Sequence, residues 1–146
     1  MSAGPTRARP PFRFSVRLRV GFDETDAQAV VYYGRYFPYF DRARVEYQRH
    51  LGLLHSLPPG FEFVMRHVSC EYEAPARFDD EIEVFMRTAS IGRSSLHTEF
   101  AVHLCETGDL LARAEQVMVL IDRAARTPEP VPAHIREAVA AFEGSA

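Results

Sequence analysis

The chain is most constrained between residues 12 and 51, where its apolar period changes from two to about 3.6 across a short acidic loop. Phe12, Phe14, Val16, Leu18, Val20 and Phe22 fall on every second position, and Arg13, Ser15, Arg17 and Arg19 fall between them. That alternation predicts a strand with one buried face. Residues 23–31 follow as a loop. From Gly34 to about Gly52 the stripe Tyr36, Phe40, Ala43, Tyr47 and Leu51 predicts a helix, widened on its apolar side by Phe37 and Tyr39. Proline is tolerated only in a first turn, so Pro38 sets the start of the regular helix at Arg35 or Tyr36. Gly52 suits its end.

Beyond the helix the period returns to two. Strands are expected over 61–73, 81–91, 96–106 and 110–122, separated by 74–77, by the turn 92–95 and by the hairpin turn Thr107-Gly108-Asp109. A proline-rich exit leads to a short amphipathic helix carrying Ile135, Val139 and Phe142. Strand, long helix and four strands joined as hairpins define an α+β chain: a curved, mostly antiparallel five-stranded sheet packed on one long helix. The 146 residues suit a single domain. Residues 1–11, with three prolines and no periodicity, are expected to be a mobile arm, and 12–146 the domain.

Several classes of function fit poorly. A net charge of −3 argues against a dedicated nucleic-acid binder, and the arginines near the start read as a basic arm and the solvent face of a strand. No apolar run of membrane-spanning length and no signal-like apolar centre are present, so the expected location is cytoplasmic. Cys70 and Cys105 stand alone, as free thiols buried or half buried. The six histidines form no ligand-spaced pair, so no metal site is expected.

The chemistry concentrates at the strand–helix junction. Asp23, Glu24 and Asp26 crowd the loop, and the run Val30-Val31-Tyr32-Tyr33 leads into the helix. A helix start presents N–H groups without helical acceptors, and its dipole favours developing negative charge. A nearby carboxylate could then serve one substrate carbonyl together with those N–H groups. Asp and Thr before a helix are also ordinary turn and cap residues.

Phe22-Asp23-Glu24-Thr25-Asp26, Val30-Val31-Tyr32-Tyr33, Tyr36, Phe40, Arg42-Ala43-Arg44, Glu71-Tyr72-Glu73-Ala74-Pro75-Ala76-Arg77 and Asp80 together resemble the signature of hotdog-fold acyl-CoA thioesterases. The nearest types are the 4-hydroxybenzoyl-CoA thioesterases and the acyl-CoA thioesterases associated with the Tol–Pal system. The resemblance implies a hotdog fold, a long central helix wrapped by the sheet, and hydrolysis of an acyl-CoA to free acid and CoA. It implies that Asp26 is the catalytic acid, as nucleophile or as general base. It implies that backbone N–H groups at Tyr33 and Gly34 polarise the carbonyl, although Tyr33 could also be a core aromatic. Arg93, Ser94 and Ser95 would bind the nucleotide and pantetheine arm, or form an ordinary polar turn. Phe37, Tyr39, Phe61 and Phe63 are candidates to line an acyl pocket, aromatic or aliphatic. CoA is part of the substrate, so no cofactor is implied. A homodimer with a continuous sheet and active sites between subunits, doubled to a homotetramer, is expected.

The chain departs from the family pattern twice. Glu24 stands where the first acid is usually Asp, and Ala29 stands where the loop usually has Gly. Alanine fits a left-handed backbone poorly. A rival reading follows, in which a reshaped loop leaves a non-catalytic acyl-thioester binding or scaffold protein on the same fold.

Overall fold

The computed structural model describes residues 1–144. Its elements in chain order are β1 (Ser2–Pro5), β2 (Phe14–Arg19), α1 (Tyr36–His50), β3 (Phe61–Tyr72), β4 (Glu81–Ile91), β5 (Ser95–Leu104), β6 (Leu110–Asp122), β7 (Thr127–Pro128) and α2 (Ala133–Glu143). Single 3-10 turns at Phe22–Glu24 and Tyr33–Arg35 flank the acidic loop. The sheet runs β1-β2-β4-β5-β6-β3, with β7 beside β6, and every pairing is antiparallel. The five long strands are those expected from the sequence. The helix begins at Tyr36 with Pro38 in its first turn, where the missing N–H costs nothing.

One face of the sheet wraps α1. Phe14, Val16 and Leu18 from β2, Ile82, Val84 and Met86 from β4, and Phe100 and Val102 from β5 bury with Tyr36, Tyr39, Phe40, Ala43 and Tyr47 of the helix. The Phe40 and Phe100 ring centroids lie 4.8 Å apart. A second cluster, Val131, Ile135 and Val139, seats α2 against Leu51, Leu53, Leu57, Phe63, Ile91 and Leu96.

Three expectations are corrected. Within the first eleven residues β1 pairs with β2 and Arg9 donates to the Gly108 carbonyl at 2.9 Å, and the next residue, Phe12, packs on Phe85 with ring centroids 5.9 Å apart. Main-chain pairing needs no side-chain periodicity, which is why the sequence hides it. The sheet accordingly gains two short strands beyond the five. Phe22 continues the alternation on paper but leaves the sheet with the chain after Arg19, and lies 77% exposed against Phe78. In β3 a bulge between Met65 and His67 breaks the period. Beyond it Val68, Cys70 and Tyr72 stand opposite the buried Gln116, Ala114 and Ala112.

Candidate active site

The acidic loop folds back on itself at the start of α1. Thr25 and Val31 form an antiparallel bridge, and the Asp26 N–H donates to the Val30 carbonyl at 2.9 Å. The Tyr32 N–H donates to the Glu24 carbonyl at 3.0 Å, and the Val31 N–H to the Ala76 carbonyl at 2.8 Å. The half-buried Asp26 is thereby carried on a narrow loop against the lead-in to the helix. Its Oδ1 accepts the Gln28 N–H at 2.8 Å, which fixes one carboxylate oxygen and leaves the other uncommitted to protein among the described residues.

Ala29 adopts φ +63°, the left-handed geometry for which glycine is the ordinary residue. Its N–H donates to the Asp26 carbonyl at 2.9 Å, closing the turn. Ala29 thus takes the left-handed geometry itself, and the cost lies in its backbone.

At the helix start, neither Tyr33 nor Gly34 donates its N–H to a protein acceptor among the described residues. These are the free donors that a helix N-terminus supplies. A Cβ at Gly34 would lie 2.9 Å from the Tyr32 ring, so any larger residue there forces that ring to move. The Tyr33 side chain is 61% exposed and is not a core aromatic. Tyr72, at the end of β3, donates its hydroxyl to the Tyr33 carbonyl at 2.9 Å and packs edge-on to Tyr36 with centroids 5.3 Å apart. Burial pushes the Tyr36 phenol up to about 12.

Three contributors escape a sequence reading. Glu24 accepts the Gly21 N–H at 2.6 Å and the Tyr39 hydroxyl at 2.9 Å through the same Oε1. Tyr39 is wholly buried and is thus committed to that bond and to the core. Tyr72 reads in sequence only as a strand residue. Apart from the Glu24–Gly21 bond, which spans three residues, these contacts join parts separated along the chain, so no local pattern signals them.

Other candidates lie elsewhere. Arg93, Ser94 and Ser95 form the β4–β5 turn, pinned by Arg136, which donates to the Gly92 and Arg93 carbonyls at 2.6 and 3.1 Å. Arg19, beside the acidic loop, pairs with Glu81 at the other end of β4. The two sites are therefore separated by the length of that strand, roughly 30 Å of strand path, and a single chain does not bring them together. Phe63 is taken up by the α2 cluster. Arg44 holds Asp41 and the buried Gln116, while Glu46 holds Arg49, so the two helix charges have separate partners. Cys70 and Cys105 are half buried, and burial pushes both thiols up, which suits them poorly as nucleophiles. Among the described residues no three His, Cys, Asp or Glu side chains group to hold a metal, and no helix is long and apolar enough to cross a membrane. A cavity of about 1230 Å³ lies between residues 5–13, the end of β4 and α2, away from the junction.

Residues 20–139 match the thioesterase-like superfamily, a span that contains the whole junction. The acyl-CoA thioester hydrolase YbgC of Escherichia coli O6:H1 is 35% identical over 127 residues, covering 85% of this chain and 92% of that protein. The acyl-CoA thioesterase YbgC of Haemophilus influenzae is 27% identical over 128 residues, covering 86% and 93%. Among solved structures, a thioesterase of Thermus thermophilus complexed with coenzyme A and zinc superposes with a TM-score of 0.80 at 30% identity, covering 94% of this chain and 100% of that one.

Proposed function

Because the chain belongs to the thioesterase-like superfamily, we propose that it hydrolyses an acyl-CoA thioester to the free acid and CoA at the β2–α1 junction. One observation carries the reading: a carboxylate with an uncommitted oxygen, Asp26, sits on the loop that leads into two unbonded helix-start N–H groups, Tyr33 and Gly34. The N–H groups receive the thioester oxygen as it gains charge, a contribution of order 3 kcal/mol for one good donor. Asp26 attacks the carbonyl carbon and expels the thiolate, leaving a mixed anhydride that water opens, or it takes a proton from an attacking water. Either course needs no cofactor.

The site is completed by a second copy. β3 is the long outer strand of the sheet, and its Met65, Val68 and Tyr72 are exposed. Antiparallel pairing of β3 with the partner's β3 sets the Tyr72 end of one chain beside the Phe61 end of the other. The turn at Arg93, Ser94 and Ser95 lies at that Phe61 end, since Ser95 pairs with Val119 and Phe61 with Asp122 on the same strand β6. The partner's turn thus approaches this chain's junction, where its arginine suits a CoA phosphate. The tight turn at Ala29 weighs against the non-catalytic alternative, in which Ala29 closes or reshapes the site.

The test is thiol release from a panel of short, long and aromatic acyl-CoAs with wild type and Asp26→Asn. At least one ester should turn over, and Asp26→Asn should lose about 10²-fold or more in kcat. Binding of CoA esters without turnover by the wild type would favour the scaffold reading. Full activity of Asp26→Asn would remove Asp26 from the mechanism.

A further inference from the structure

We propose that Glu24, together with Tyr39 and Gly21, forms a clasp that positions Asp26 against the helix-start N–H groups. The inference rests on the thioesterase reading above and adds three positioning residues to it. None of the three is offered as a group that touches substrate.

Glu24 joins three elements by three hydrogen bonds. Its Oε1 accepts the Gly21 N–H at 2.6 Å, tying it to the end of the strand. The same oxygen accepts the Tyr39 hydroxyl at 2.9 Å, tying it to the interior of α1. Its main-chain carbonyl accepts the Tyr32 N–H at 3.0 Å, tying it to the lead-in of the helix. Asp26 sits two residues beyond Glu24, inside the loop that these bonds close, so it can shift relative to Tyr33 only if one of them yields.

The anchor is rigid. Tyr39 is fully buried in the core against Tyr36, with ring centroids 5.8 Å apart. Burial first, and then its bond to Glu24, push the phenol's ionisation upward, so it stays a donor at working pH. A Cβ at Gly21 would lie 3.3 Å from Glu24 Oε1, so any other residue there presses on the carboxylate that makes the clasp.

Misplacing a reacting group by about 1 Å can cost on the order of 10²-fold in rate. Steady-state kinetics and thermal melts of Glu24→Ala, Glu24→Gln, Tyr39→Phe and the double variant Glu24→Ala/Tyr39→Phe, beside Asp26→Asn, test the clasp. Glu24→Gln keeps an oxygen that can accept both donors, so its kcat should stay within about threefold of wild type. Glu24→Ala should lose roughly 10–100-fold in kcat with KM nearly unchanged, and Tyr39→Phe roughly tenfold. The double variant should be no worse than Glu24→Ala, because the two residues act as one unit. If Asp26→Asn is inactive while Glu24→Ala keeps full kcat, the clasp is overturned and the thioesterase reading survives. If Glu24→Gln is as slow as Glu24→Ala, the charge of Glu24 is what matters, and positioning by hydrogen bond is overturned. Should Glu24→Ala melt below the assay temperature, an unchanged kcat in Tyr39→Phe overturns the clasp by itself. If the wild type hydrolyses no thioester, the clasp falls together with the reading it rests on.

Discussion

At φ +63°, Ala29 holds a conformation that costs a non-glycine residue of order 1 kcal/mol. Ala29→Gly should therefore be neutral to stabilising by up to about 1 kcal/mol, a rise of roughly 2–4 °C in Tm, read from melts at fixed buffer. A loss of more than that amount would mean that the methyl group packs usefully. Gly34 has the opposite requirement. Gly34→Ala drives a methyl into the Tyr32 ring and should cut kcat by roughly tenfold or more through displacement of the N–H donors, measured against the same acyl-CoA panel. At this scale the sequence discloses the acids, the helix-start residues and the problem at position 29, all of which are local. Glu24, Tyr39 and Tyr72 are functionally placed by contacts between separate elements, and a strand or helix pattern reads them only as loop, core and sheet residues.

The helix α1 is the element on which the rest depends, and its two ends are held differently. Its start is held by the loop bonds at Tyr32 and Glu24. Near its end Tyr47 donates to Glu143 Oε2 at 2.6 Å and accepts from Thr88 Oγ1 at 3.1 Å, while the Thr88 N–H donates to the same Glu143 oxygen at 3.0 Å. Tyr47→Phe removes the hydroxyl from this half-buried network and should destabilise the protein by about 1–3 kcal/mol, measured by urea unfolding, without a matching change in KM. The tyrosines of α1 also set an alkaline limit. Burial holds the Tyr36 phenol at about 12, above its ordinary value of 10.0, so the folded state favours the protonated form. That contribution is complete below about pH 10 and is lost as pH rises through 12. Stability should fall across that window, and Tyr36→Phe should flatten the fall, as followed by phenolate absorbance together with circular dichroism. The helix, its proline-limited start and the β4–β5 and β5–β6 hairpins were legible because each follows a period of 3.6 or two, whereas the expected pairing of β3 with β4 gives way to β3 with β6. The bulge in β3 and the strand β1 were not, because a bulge erases the period and main-chain pairing leaves no mark on composition.

For the whole molecule, order along the chain and order in the sheet disagree. β3 follows α1 directly, yet it lies at the outer edge and pairs with β6. Its side toward the helix carries Val68 and Tyr72, both partly open to solvent in one chain. A row of unpaired main-chain groups beside such residues favours association. Light scattering should report a mass of two or four times 16.6 kDa. Val68→Lys should shift that mass toward the monomer and lower activity with it, since the partner's turn then leaves the site. A fully active monomer would sink the shared-site arrangement. The hairpin order was readable from turns, but the place of β3 was not, because its pairing spans a large separation in sequence. The same topology has a consequence during synthesis. β3 leaves the ribosome about 40 residues before the strand that completes it, a delay of roughly 2–8 s at ordinary elongation rates. Through that interval β2, β4 and β5 can already cover α1, and it is β3 that waits without the strand it pairs with, so its exposed edge falls late in translation, and slowing elongation between β5 and β6 prolongs it.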